Sequence, residues 1–329
     1  ELDKDGLLVS HTPPESISEN LPNTILELPM FSKAHTWHGA ALSGFGIASN
    51  KVILADLGLP TPREWADLTD RRYNGWLELT DPRQSGSAHM MFEIILQAYG
   101  WNKGWEILTQ MASNAKKFTR GGADAVQDVA NGNAAAAPSI DFYALTLVNE
   151  VGDNIMDFVY PENLTVINPD AIAILKGAPQ LDAAKKFVNF VLSDNGQKLW
   201  MLPKGTTNGP KKFVLRRMSI LPHLYNELGS RSVVKTNPFM FASSFKFDSN
   251  KSATRWHALN ALLGTWLIDT HSELKQVWIH GNNQPSEPPV GEELLSQYAS
   301  KWHDSEFAAA QEAAWARAAK SKYKAMAAR

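Results

Sequence analysis

An α/β architecture is what this sequence predicts, on three observations. Segments with strand-like patterning alternate with helix-periodic ones across residues 37–200. Two of the helices open on small polar residues, one directly after a strand at Ser85-Gly86-Ser87-Ala88 and one at Thr119-Arg120-Gly121-Gly122. The chain also has 329 residues and 44 % hydrophobic content, enough for two domains with cores of their own.

The elements follow in order. Residues 1–28 are rich in Pro, Ser and Glu and read as loop after a short helix end. Residues 37–50, WHGAALSGFGIASN, are apolar and small, which predicts a buried strand pair whose glycines allow close backbone approach. Thr61-Pro62-Arg63-Glu64 predicts a helix start, with Thr61 as cap, Pro62 in the first helical position and Glu64 closing a capping box. Trp65 and Leu68 supply the inward face of that helix. Residues 75–80 alternate like a short strand, and TDPRQSGSA follows. Met91, Ile94, Ile95, Ala98 and Tyr99 then recur at helical spacing, with Gly100 as the stop. A second helix carries Trp105, Leu108 and Met111.

Residues 118–132 repeat the pattern of a polar opening followed by a helix, which ends at Gly132. Residues 134–137 read as a buried strand, and Ile140-Asp141-Phe142-Tyr143-Ala144-Leu145 begins a helix. Residues 165–175 read as a strand around Asn168-Pro169-Asp170. Two amphipathic helices come next, one presenting Ala183, Phe187 and Val191, the other Leu199 and Trp200. Past Pro210 the character changes: residues 238–241 read as loop, and Trp256, Leu259, Leu262, Leu263, Trp266 and Leu267 are helix-periodic. Residues 305–329 are alanine-rich and end in Arg317, Lys320, Lys322, Lys324 and Arg329, a solvated closing helix whose cations suit the negative end of its dipole.

Composition excludes several classes. Charged residues are 20 % of the chain and the formal net charge is −2, so a nucleic-acid binder with its strongly basic face is not expected. No apolar run approaches the roughly 20 residues needed to span a bilayer. No signal peptide is seen in Glu1-Leu2-Asp3-Lys4-Asp5, so the chain is read as processed or cut from something longer. Cysteine is absent, which removes disulfides, thiolate metal sites and cysteine nucleophiles together. Eleven tryptophans are read mainly as packing, with ligand stacking as the other use.

The chemistry lies in the two helix mouths. A helix N-terminus has four amides without intrahelical partners and about half a positive charge. One hydroxyl would cap it, whereas Ser85 and Ser87 around Gly86 offer extra donors and let a ligand approach the backbone. Thr119, Arg120, Gly121 and Gly122 repeat the device with a guanidinium added. Both could converge at one end of a sheet, where open α/β folds bind ligands, with Asp141 and Tyr143 completing the wall. A phosphate, phosphonate or carboxylate fits such a place. Catalytic patterns are thin: H-E-x-x-H, G-x-S-x-G and a Walker glycine loop are all missing, His35 and His38 lie in no metal spacing, and Asp269-Thr270-His271 reads as an anchor.

In their order and spacing these motifs resemble the periplasmic substrate-binding proteins of ABC importers, in the group handling ferric iron, phosphonates and sugar phosphates. The matching stretches are residues 37–50, TPREWADLTDRRYNG, TDPRQSGSA, FTRGGADAVQDVANG, IDFYAL, NPDAIAILKGAP and AAKKFVNFVLSDNGQKL. The resemblance implies a type II periplasmic-binding-protein fold, two lobes joined by crossover strands. It divides the chain into residues 1–51 in lobe one and crossover, 52–153 in lobe two, and 154–329 returning to lobe one with a helical C-terminal extension. It also implies that the chain begins well inside lobe one, whose first strands would precede Glu1.

The function it implies is capture of a small anionic solute between the lobes, an organophosphate or phosphonate foremost, for delivery to a membrane permease. The protein would be a monomer without cofactor or enzymatic activity, periplasmic or anchored outside the membrane. Ser85, Gly86, Ser87, Ala88, Thr119, Arg120, Gly121, Gly122, Asp141 and Tyr143 would face the solute, with Trp37 and Glu162 as outlying candidates. A ferric-iron carrier of the same fold is the alternative; Phe142 stands where iron binders place one of two adjacent tyrosines, which leaves Tyr143 alone. From another class, an enzyme acting on a phosphorylated substrate would rely on Asp141 as its base.

Overall fold

The structure is a computed structural model that describes residues 2–241, 243–279 and 287–327. In chain order its main elements are β1 (Trp37–Asn50), α1 (Lys51–Asp56), β2 (Leu77–Thr80), α2 (Gly86–Ala98), α3 (Trp101–Asn114), β3 (Ala115–Thr119), α4 (Gly122–Ala130), β4 (Ala136–Ile140), α5 (Asp141–Val151), β5 (Met156–Val159), β6 (Ile167–Ala173), α6 (Leu181–Leu192), α7 (Asp194–Met201), α8 (Ser249–Leu263), α9 (His271–Ile279), α10 (Glu292–Ala299) and α11 (Ser305–Ala327). They form two compact units: Glu1–Gly44 with Val166–Ser243, and Phe45–Thr165 with Ser244–Arg329.

In the first unit the opening half of β1 pairs antiparallel with β6, Trp37 opposite Ala173, with an irregularity between Gly39 and Ala41. A Cβ at Gly39 would stand 2.9 Å from the Pro169 Cβ, so this glycine is where the two backbones come close. Ser43 and Arg217 both donate to the Asp170 carboxylate. On α6 the inward residues are Val188 and Leu192, while Phe187 is 60 % exposed. The face read from Ala183 and Phe187 is therefore the outer one; two apolar stripes compete on this helix, and packing against α7 selects the other. Gln197 on α7 is fully buried and satisfied, its amide donating to the Ala40 and Val191 carbonyls at 2.8 and 2.7 Å and accepting from Ser219 Oγ and Ile220 N.

The second unit is built on a sheet in the order β3-β2-β4-β1-β5. Strand β2 runs parallel to β3 and β4, whereas the second half of β1 runs antiparallel to β4 and β5. Residues 37–50 thus form one continuous strand rather than the expected pair: small residues let it bury without any turn. Each parallel strand leads into a helix, β2 into α2, β3 into α4 and β4 into α5. Parallel strands end at one edge, so the N-termini of these three helices share it. Alanines at 48, 125, 134, 137 and 144 with Val126, Val129 and Met156 form a buried core under α4 and α5, and their small size keeps the helices close to the sheet.

Two further differences have plain causes. The helix expected from Thr61 starts three residues later, as a 3₁₀ turn Trp65–Thr69, because the Asp67 carboxylate accepts from the Arg63 and Glu64 amides. Trp65 and Leu68 are buried on it as expected. The C-terminal helices belong to the second unit rather than to the returning part of the first, since α8 docks on α2 and α9 on α3. Closing helix α11 is solvated on one side only; Trp315, Ala319 and Tyr323 are buried, and Tyr323 Oη donates to the Trp266 carbonyl at 3.0 Å. Asp269, Thr270 and His271 anchor neighbours as read: Asp269 pairs with Arg83, Thr270 bonds the Trp266 carbonyl and His271 bonds the Ala112 carbonyl.

Strand β2 carries a buried carboxyl group, Glu78. Neither Glu78 carboxylate oxygen has a hydrogen-bond partner among the described residues, and Lys117 Nζ at 3.5 Å is held more closely by Asp128 at 2.7 Å. Burial first, then the neighbouring Asp128, push the Glu78 pKa up to about 7. The folded chain therefore keeps a proton that the unfolded chain releases above about pH 4.5, and stability falls as pH rises from there to about 7. Glu78→Gln is expected to raise stability by about 1–2 kcal/mol at pH 8 and to change little at pH 4. Melting curves of both proteins at the two pH values check this; an equal effect at both would refute it.

Candidate functional site

The shared edge brings together what the sequence placed at two separate mouths. A Cβ built on Gly122 would lie 2.9 Å from Ser87 Oγ, 3.2 Å from Ser85 Oγ and 3.8 Å from Tyr143 Cε2. The first residue of α4 thus sits directly against both serine hydroxyls of α2 and against the ring leading α5. The hydroxyls are 3.0 Å apart, and Ser85 Oγ receives the Ala88 amide only at 3.4 Å. A cap this loose leaves the serines able to turn toward a ligand. As first-turn groups, the Gly86, Ser87, Gly122 and Ala123 amides have no intrahelical acceptor.

Other predicted residues have different positions. The Thr119 hydroxyl bonds Thr80 Oγ1 at 2.9 Å and the Gly121 carbonyl at 3.1 Å, and Thr119 is 8 % exposed, so it braces the ends of β2 and β3. The Gly121 amide donates to Asp124 Oδ2 at 3.0 Å, which places one carboxylate at the α4 mouth. Arg120 is exposed beside it. Asp141 is 3 % exposed, and its carboxylate accepts from the Phe142 amide at 2.7 Å and Tyr160 Oη at 3.0 Å. Tyr143 is 37 % exposed and packs on Phe142 at 4.4 Å between ring centroids. Glu162 lies in an exposed turn of the same unit. Trp37 lies in the first unit, where it lines a hollow of about 580 Å³ with Leu2, Leu8, Pro169 and Leu175.

Sequence reasoning missed Trp256. A Cβ on Gly86 would stand 3.8 Å from its Cη2, so α8 brings an indole to the first residue of α2. The ring stacks on buried His89 at 3.5 Å between centroids, and His89 Nδ1 meets Asn260 Oδ1 at 2.7 Å. Burial outweighs that bond and lowers the His89 pKa to about 4. The only signal was helix periodicity, which marks Trp256 as packed without naming its neighbour.

The site is therefore a set of hydroxyl and amide donors at converging helix N-termini, suited to a negatively charged guest. The fold that carries it is that of periplasmic binding proteins. The chain superposes on the periplasmic binding protein P5PA with a TM-score of 0.65 at 21 % identity, covering 81 % of this chain and 79 % of that one. It superposes on AfuA from Actinobacillus pleuropneumoniae, solved with exogenous fructose-6-phosphate bound, with a TM-score of 0.56 at 20 % identity over 88 % and 79 % of the two chains. The profile of the bacterial extracellular solute-binding proteins matches residues 4–207, and the chain belongs to that family. Phosphoglycerate transport regulatory protein PgtC of Salmonella typhimurium is 28 % identical over an alignment of 262 residues that covers 73 % of this chain; the chain spans 64 % of that relative's length. Among the described residues, no helix is long and apolar enough to cross a membrane.

Proposed function

We propose that this protein is the solute-capturing component of an ABC import system, and that it holds a small organic phosphate or phosphonate at the α2 and α4 mouths. The observation that carries the reading is the meeting of Ser85, Ser87 and Tyr143 around the bare first residue of α4, Gly122. Hydroxyls and free amides bind a phosphoryl group by charge-assisted hydrogen bonds, and a glycine at the contact lets the anion reach the backbone. The names of PgtC and of the fructose-6-phosphate-bound AfuA support the phosphate class. The protein acts without turnover, outside the cytoplasmic membrane, as a monomer that passes its solute to a permease. Asp141, the one candidate base, is buried and already bonded to Phe142 and Tyr160, which supports binding over catalysis.

Calorimetry with 3-phosphoglycerate, fructose 6-phosphate, a phosphonate and citrate is the test. At least one phosphate or phosphonate is expected to bind, and replacing Ser85 and Ser87 together by alanine is expected to weaken it by about 1–3 kcal/mol. No heat with any of the phosphates or phosphonates, or unchanged affinity in the double variant, overturns the reading. Release of inorganic phosphate from either ester would favour the enzyme instead.

A further inference from the structure

We propose that Trp256, brought to the site by α8, forms one wall of the anion pocket and selects solutes whose charged group is attached to a ring or another flat apolar body. The proposal rests on the phosphate site argued above and adds the part of the solute that the donors do not touch.

Gly86 is flanked by Ser85 and Ser87, and the benzo end of the indole lies against it, with Cη2 3.8 Å and Cζ2 3.9 Å from the position a Cβ would take. At the neighbouring mouth Tyr143, 37 % exposed, lies 3.8 Å from the corresponding position on Gly122, which itself faces both serine hydroxyls. The polar donors thus have an indole at one helix mouth and a phenol at the other. A phosphoryl group satisfies the donors, and what is attached to it meets aromatic surface.

The indole is only partly buried, yet it is held in place by groups that are fully buried. His89 supports one face, Asn260 fixes the His89 ring, and the preceding residue, Arg255, is clamped to Glu93 at 2.7 Å. Neutral His89 adds no charge to the site, so the wall contributes apolar contact. Inorganic phosphate has nothing to place against this wall; an aryl or cyclic phosphate does.

Affinities for phenyl phosphate and inorganic phosphate, measured by calorimetry on the whole chain, separate the outcomes. Wild type is expected to prefer phenyl phosphate by about tenfold or more. Trp256→Leu is expected to lose that preference while its inorganic phosphate affinity stays within about twofold, and Trp256→Phe to keep most of it. Thermal melts of each variant confirm that α8 stays docked. A Trp256→Leu protein that keeps the preference, or weakens equally toward both ligands, refutes the wall while leaving the phosphate site standing. Wild type that binds neither compound refutes the wall, and the solute panel above then decides separately whether the phosphate site stands.

Discussion

Gly122→Val is expected to weaken binding of the tightest phosphate or phosphonate solute by about 100-fold, or ~2.7 kcal/mol, with the fold intact. Even a bare Cβ here would press on Ser87 Oγ at 2.9 Å and Ser85 Oγ at 3.2 Å, and two further methyl groups would fill the space the anion needs. Gly122→Ala is expected to cost about tenfold, because a serine hydroxyl can rotate away from one methyl. Neither change should lower stability much. Gly122 begins α4, and glycine is the poorer helix former by up to about 1 kcal/mol. Calorimetry paired with thermal melts checks both halves. Wild-type affinity in Gly122→Val would mean the solute binds elsewhere.

Arg255→Ala is expected to destabilise the second unit by about 3–5 kcal/mol, the usual cost of leaving one member of a buried ion pair behind. Arg255 and Glu93 have side-chain exposures of 1 % and 0 %. The guanidinium also bonds Glu292 at 2.7 Å and lies over the Trp101 ring at 5.1 Å, so one side chain ties α8 to α2, α3 and α10. Its removal leaves the Glu93 carboxyl group in a dry interior without its cationic partner. A melting temperature lower by about 10 °C is the expected reading for a unit of this size. Arg255→Met with Glu93→Leu should recover much of the loss, since apolar replacement of both partners removes the stranded charge. If the single variant melts like wild type, α8 is held by apolar packing alone.

The parts of this molecule that could be read from sequence are those governed by neighbouring residues. The helices beginning at Gly86 and Gly122, the stops at Gly100 and Gly132 and the buried run of alanines at 134–137 all follow from capping, positive φ and periodicity. The residue types at the two helix mouths were legible for the same reason, because small polar residues ahead of a helix are a local pattern. Phe187 was misread since α6 offers more than one apolar stripe and only its neighbours choose between them. The strand at residues 37–50 was split in two because nothing local distinguishes a long buried strand from a hairpin of small residues.

The sequence by itself determined the α/β alternation and the residue types at each helix mouth, since backbone hydrogen bonding and capping act over a few residues. Tertiary structure alone decided that β2, β3 and β4 run parallel, so that Ser85, Ser87, Gly122 and Tyr143 meet at one edge. It also decided that α8 lies on α2, with Trp256 against Gly86. Those choices depend on which apolar faces fit one another at van der Waals distance, a match of shape and volume between distant segments that no single segment encodes.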